Sequence, residues 1–361
     1  MANACQQACD CWVRFESANF PLVVIEHPRT FLLWSGCYLH ALEIAPFSTA
    51  VLYADVMTSS TTPSPDEIVG LGPFLQALKG RVLGGVTFHQ YGPCGHDPLP
   101  PGHGHVPPLT NSSALVIDPV RCLDGPEQMI GQAVTLVEQY APHARAWVGE
   151  SALTGGGGRD NVTNAFVSTL WYSDWLGISA KGKVAVVLRE TLIGGYYGLV
   201  DAASFALSPD AYLLSLFAKL MGDQVHDVKI VLPNASTPEQ RTMLRAYAQT
   251  TRGGNPGLTL MLINLGTETT FTVAPPFAFD ARHGTAAEVE AAAGVGATRD
   301  EYHLTAVTAP SGKEMALNGV ELKLVGGGTM MPPMKPKVID GAAPILVAPA
   351  SVVFVAFRAA A

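Results

Sequence analysis

Between about residues 50 and 204 short apolar runs alternate with longer amphipathic ones, and beyond residue 204 the alternation stops. This change of rhythm limits the fold more than any other feature of the chain. Ala50 to Val56, Val82 to Phe88, Ala144 to Val148 and Val184 to Leu188 are brief, apolar and bounded by breakers, as buried strands are. Between them, residues 66–79 carry Ile68, Leu71, Phe74, Leu75 and Leu78 at helical spacing. Residues 126–140 set Ile130, Ala133, Val134 and Val137 on one side, and Ala165 to Leu176 reads as another helix. Strand, helix, strand in this order predicts a parallel sheet with helices outside it. Upstream, Leu39 to Ile44 fits a helix. Downstream, Pro209 to Leu220 is one more helix. Leu258 to Leu265, Thr269 to Val273, Val320 to Val325 and Val352 to Phe357 then read as strands, separated by breakers such as 253–256 and 326–328. That second pattern predicts an antiparallel β-sandwich.

Composition narrows the function. With 361 residues, 48% hydrophobic and 14% charged, the chain can bury a large core. A net charge of −8 speaks against nucleic acid or an anionic membrane as a bulk partner. No apolar run reaches the roughly 18 residues that span a bilayer, and the first residues lack the basic-then-apolar pattern of a secretory signal. The triplets at Asn111, Asn161 and Asn234 are nonetheless glycosylation sequons, which leaves the compartment open. Six cysteines are too few for a disulfide scaffold in a chain of this length.

The chemistry concentrates at Ala146-Trp147-Val148-Gly149-Glu150-Ser151, followed by glycines 155–158. Glu150 ends an apolar strand. In a β/α barrel the C-terminal ends of strands are where catalytic groups gather, and a carboxylate there can attack an anomeric carbon. Glycines let backbone approach a ligand closely. The plain alternative is a solvated glutamate in a strand-to-helix loop. Other constellations carry less. Cys94, His96, His103 and His105 could ligate zinc, but their spacing fits no standard pattern and the surrounding prolines suit a cleft rim. Ser151 lacks a nucleophile elbow, and the glycine run lacks the lysine of a phosphate loop. Trp171, Tyr172 and Trp175 fall at helical spacing and read as core.

Five segments in order carry a family resemblance: 86–91 (VTFHQY), 147–151 with its glycines (WVGES), 194–201 (GGYYGLVD), 258–265 (LTLMLINL) and 317–323 (LNGVELK). Together they resemble the heparanases, the endo-β-glucuronidases of glycoside hydrolase family 79. The resemblance implies a (β/α)8 barrel with a β-sandwich beside it. Residues 1–204 would be the C-terminal portion of the barrel, roughly strands 4–8, and residues 205–361 a helix followed by the sandwich. It implies retaining hydrolysis of a β-glucuronosyl linkage in a glucuronic-acid-containing polysaccharide or proteoglycan. Glu150 would be the nucleophile. Tyr91, Tyr197, Gly156 and Gly157 would bind the sugar acid, with His89 on the strand leading there. No metal or organic cofactor is implied. The resemblance also implies an extracellular, lysosomal or membrane-associated protein.

The sequence departs from the family at the second carboxylate. The family sets its acid/base in an Asn-Glu pair, and no Asn-Glu occurs in this chain. The segment 11–20 (CWVRFESANF) resembles that region and puts Glu16 in the role, but Phe15 stands in place of the asparagine. Glu26 is a weaker candidate. With Glu16 ending the fourth strand, strands one to three would come from elsewhere, for instance a separate N-terminal polypeptide. A second reading therefore stands beside the first, in which the chain is a catalytically inactive homologue that at most binds glycans.

Overall fold

A computed structural model describes residues 31–34, 37–42, 51–55, 57–58, 71–77, 84–92, 124–231, 243–252, 257–274 and 298–358. Strands β1 (Phe31–Trp34), β2 (Cys37–Leu42) and β3 (Val51–Asp55) form a three-stranded antiparallel sheet in that order. The helix expected at Leu39 to Ile44 is therefore wrong over its described part. Leu39 pairs with Leu32 on one side and Ala54 on the other. A central strand satisfies its backbone groups along both edges, whereas so short a helix leaves most of them without partners.

The strand read at Ala50 to Val56 is thus β3 of the antiparallel sheet and not the first parallel strand, and the expected alternation follows only after it. Strand β4 (Met57–Thr58), helix α1 (Leu71–Ala77), β5 (Gly85–Tyr91), α2 (Asp124–Tyr140), β6 (Arg145–Ala152), α3 (Phe166–Lys181) and β7 (Val186–Arg189) succeed one another, and β4-β5-β6-β7 is a parallel sheet. Leu71 and Leu75 of α1, and Ile130, Ala133, Val134 and Val137 of α2, are buried, the stripe their spacing predicts. Strand β7 is not the buried strand read at Val184 to Leu188. It ends the sheet among the described residues, and Leu188 is 40% exposed.

Helix α4 (Pro209–Leu220) starts with proline at its first turn, where no N–H is needed. Then come β8 (Met221–His226), β9 (Leu244–Thr251), β10 (Gly257–Asn264), β11 (Phe271–Val273), β12 (Thr298–Ala306), β13 (Met315–Leu317), β14 (Val320–Glu321), β15 (Lys337–Asp340), β16 (Ile345–Val347) and β17 (Ser351–Arg358). Eight of these make one antiparallel sheet in the order β14-β13-β12-β17-β10-β9-β8, with β15 also on β12, and β11 and β16 pair separately. The run read as one strand at Val320 to Val325 stops at Glu321. Val325 instead bridges Met330 across Gly326, Gly327 and Gly328, whose positive φ angles form a turn.

Period-two alternation divides the large sheet's side chains between two cores. On one face Met261, Ile263, Tyr302, Leu304, Val352 and Phe354 join α3 and α4. On the other, Leu258, Leu260, Leu262, Val353, Val355 and Phe357 pack with Phe271, Ile345 and Val347 of the β11–β16 pair. Because both faces are covered, β10 and β17 read as continuous apolar runs. Helix α3 is buried from Phe166 to Ser179 all the way round, since it lies between the parallel sheet's helices and the large sheet. Trp171 and Trp175 stack at 5.6 Å inside it, as core residues. Tyr247 of β9 lies over Gly177 and donates its hydroxyl to Asp174 at 2.6 Å.

Candidate active site

Strands β5 and β6 run side by side, and their register brings His89 opposite Glu150 and Tyr91 opposite Ala152. The register slips at Phe88/His89 in one pairing and between Val148 and Ser151 in the other. Such irregularities re-aim side chains, and here they turn Glu150 toward its neighbours. Gly149 favours this approach, because a Cβ there would lie 3.0 Å from Cβ of Thr87 and the two would have to give way by a few tenths of an ångström.

Glu150 is 28% exposed, and Nδ1 of His89 lies 2.6 Å from its Oε2. The His89 hydrogen bond holds the Glu150 carboxyl below its ordinary range, against the opposing effect of burial, and a hydrogen bond from Tyr91 works in the same direction. The Tyr91 hydroxyl is itself raised, first by burial and then by the Glu150 charge. A carboxylate held ionised by two donors at a strand's C-terminal end can act as a nucleophile.

The glycine loop closes the other side. Gly156 and Gly157 have φ of 68° and 95°, which L side chains rarely adopt, and their Cβ positions face open space. Tyr196 N–H donates to the Gly157 carbonyl at 2.6 Å. Gly157 N–H bonds the hydroxyl of Tyr197, a group raised first by burial and then by the Glu190 charge. His89, Tyr91, Glu150, Gly157 and Tyr197 thus converge, with Gly156 in the same loop. Glu16 and Glu26 lie outside the described residues, as do Cys94, His96, His103 and His105. Ser151 is buried and donates to the Leu188 carbonyl at 3.0 Å, a structural use of its hydroxyl.

Sequence reasoning missed Glu190. It directly follows β7, its N–H donates to the Ser151 carbonyl at 2.9 Å, and its carboxyl hydrogen-bonds that of Glu150. Burial first, then the Glu150 charge, pushes it up to about 7. The signal was present, since Glu190 follows an apolar run just as Glu150 ends one. Behind it, Arg189 and Asp210 form an ion pair of 2.8 Å with side chains 3% and 1% exposed. Ser168 and Thr169 both donate to Asp210 at 2.8 Å, and Arg189 donates to the Tyr197 carbonyl at 3.1 Å, which ties β7 to the tyrosine loop.

Residues 72–177 match the model of the glycosyl hydrolase family 79 N-terminal domain. Over this part of its length the chain is similar to the heparanase-like proteins of that family. Heparanase-like protein 2 of Arabidopsis thaliana is 36% identical over 173 residues, 48% of this chain and 30% of that one. Baicalin-beta-D-glucuronidase of Scutellaria baicalensis is 29% identical over 222 residues, 61% of this chain and 37% of that one. The chain thus spans about a third of the length of these curated relatives. Among solved structures, a GH51 arabinofuranosidase from Xanthomonas axonopodis pv. citri superposes with a TM-score of 0.52 at 14% identity, covering 84% of this chain and 58% of that one. That likeness is one of fold alone, a mixed α/β unit accompanied by large sheets. Among the described residues no helix is long and apolar enough to cross a membrane.

Proposed function

We propose that the chain is the C-terminal part of a retaining heparanase-type glycosidase that cleaves β-glucuronosyl linkages. The observation that carries this is Glu150, held at the end of β6 by His89 and Tyr91 and facing a positive-φ glycine loop pinned to Tyr197. Glu150 attacks the anomeric carbon, the glycosidic bond breaks, and water opens the resulting ester. Tyr91, Tyr197, Gly156 and Gly157 bind the sugar acid, and Glu16 is the acid/base. In this reading residues 1–204 are barrel strands four to eight, and residues 205–361 are the accompanying sandwich, its second layer the β11–β16 pair. A separate N-terminal polypeptide or further residues of a longer chain complete the barrel. The substrate is a glucuronic-acid-containing glycan or proteoglycan, met outside the cell, in lysosomes or at a membrane. The chemistry rests on carboxylates and calls on no cofactor.

Trapping with an activated aryl glucuronide that labels nucleophiles, followed by peptide mapping, tests the assignment. The label falls on Glu150, and Glu150→Gln removes it, with turnover of the same substrate dropping about 10⁴-fold or more. Undiminished labelling of Glu150→Gln would sink it. One observation favours the second reading, an inactive glycan-binding homologue. The carboxylate seen meeting Glu150 is Glu190, in direct hydrogen-bond contact, whereas a retaining pair stands about 5–5.5 Å apart across the scissile bond. An inactive homologue would bind glucuronides without taking the label.

A further inference from the structure

We infer that Glu190 is a positioning residue that holds a proton against Glu150 and thereby sets the alkaline limit of glycosylation, a role that rests on Glu150 being the nucleophile. The geometry begins with the parallel pairing of β6 and β7, in which Ser151 lies opposite Arg189. The next N–H, that of Glu190, donates to the Ser151 carbonyl. This backbone bond places the Glu190 side chain beside that of Glu150, and the two carboxyls hydrogen-bond each other. Two carboxyls can share a hydrogen bond only while one of them is protonated, because two anions at that distance repel.

The surroundings decide which one holds the proton. His89 and Tyr91, both on β5, stabilise Glu150 as an anion. Glu190 meets the Glu150 charge, while His89 and Arg189 oppose the rise only as lesser influences, and the hydroxyls of Tyr91 and Tyr197 face it without lowering it. The proton therefore rests on Glu190 up to near neutrality. The two carboxyls titrate as a pair, the second step being the loss of that proton.

Glu190 does not deliver its proton to the leaving group. In a retaining enzyme the acid stands across the scissile bond from the nucleophile, and Glu190 stands beside the nucleophile. During glycosylation the Glu150 oxygen bonds to the anomeric carbon, the aglycone oxygen departs with the sugar's bonding electrons, and the Glu190 proton stays in place. When Glu190 ionises, the hydrogen bond that fixes Glu150 is lost. A second negative charge then faces a substrate that carries its own carboxylate, and both changes slow the attack.

The test uses the 361-residue chain, labelled with the activated aryl glucuronide from pH 5.5 to 8.5, together with infrared spectra of the protonated-carboxyl stretch in the unliganded protein. Labelling of the native protein falls about tenfold per pH unit above about 7, the slope of a single titrating group. Glu190→Gln loses that limb. The protonated-carboxyl band vanishes between about pH 6 and 8 in the native chain and is missing from Glu190→Gln. In Glu150→Gln it vanishes at lower pH, because the neighbouring charge is gone. A native chain without the band, or an alkaline limb unchanged in Glu190→Gln, overturns the proposal. A folded chain that shows the band but takes no label overturns the glycosidase reading, and the kinetic role of Glu190 with it, while the proton stays where we place it.

Discussion

Arg189 and Glu190 are adjacent in sequence, yet they belong to charged clusters of opposite character. The Arg189–Asp210 pair is almost fully buried, and Ser168 and Thr169 each donate a further hydrogen bond to the aspartate. The His89–Glu150–Glu190 group is half-open, with His89 15% and Glu150 28% exposed, and it sets two carboxyls against each other. Burial raises Asp210 as it raises Glu190, but Arg189 opposes it directly at Asp210, whereas at Glu190 the nearest charge is another carboxylate. A buried charge held against a fixed counter-ion is an anchor. One left beside a like charge keeps a proton that can come and go.

The largest effect is expected from breaking the anchor. Asp210→Ala leaves Arg189 buried without its counter-ion, which costs about 3–5 kcal/mol in urea unfolding. Because Arg189 also holds the Tyr197 carbonyl, the tyrosine loop loosens with it. Replacing both partners, Arg189→Met with Asp210→Leu, costs less than the single change, since no charge is then stranded. A loss below about 1 kcal/mol for Asp210→Ala would place the pair with exposed ion pairs and dissolve the contrast.

These clusters also separate what the sequence could reveal from what it could not. The strand that carries Glu150, the helices at 126–140 and 209–220, and the two-sided strands of the large sheet were legible because burial imposes a period on local sequence. Cys37–Leu42 was misread because its partners β1 and β3 are distinct segments, and six residues carry too little period to choose. Tyr91, Tyr197 and the glycines were named through their resemblance to a family, and Glu150 through its strand as well. Glu190 was not, because its meaning comes from strand register, which sets it beside a carboxylate 40 residues earlier. Asp210 lies inside the helix read at Pro209 to Leu220 and was not singled out, while the fold uses it as the counter-ion of Arg189 at the end of β7.

An intermediate effect is expected on the open side. His89→Phe removes the hydrogen bond that lowers Glu150, so the carboxyl rises toward its ordinary value of 4.5. A depressed carboxylate contributes stability that is present above its unfolded value and lost as pH falls through its folded value. Replacing His89 therefore moves the acid limb of Glu150 labelling to higher pH. With the carboxyl near its ordinary value, labelling at pH 4.5 falls about twofold, because about half of Glu150 is then protonated, and at pH 7 it hardly changes. An acid limb that stays in place would mean that His89 only packs beside Glu150.

The smallest effect tests how completely the closed cluster is satisfied. The Tyr172 ring lies under Arg189, 4.8 Å from the guanidinium carbon to the ring centre, so its face contributes to holding the cation. Its hydroxyl is fully buried and has no hydrogen-bond partner among the described residues, and burial raises it far above its usual range. Tyr172→Phe keeps the ring over Arg189 and removes an oxygen that gains nothing from its surroundings. Unfolding free energy should therefore stay within about 1 kcal/mol of the native value, on the stabilised side. A loss of about 1–3 kcal/mol, the cost of stranding a buried partner, would show that the hydroxyl is bonded after all. The closed cluster would then hold a polar link beyond the pair, two hydroxyls and ring already seen, and its contrast with the open one would be sharper.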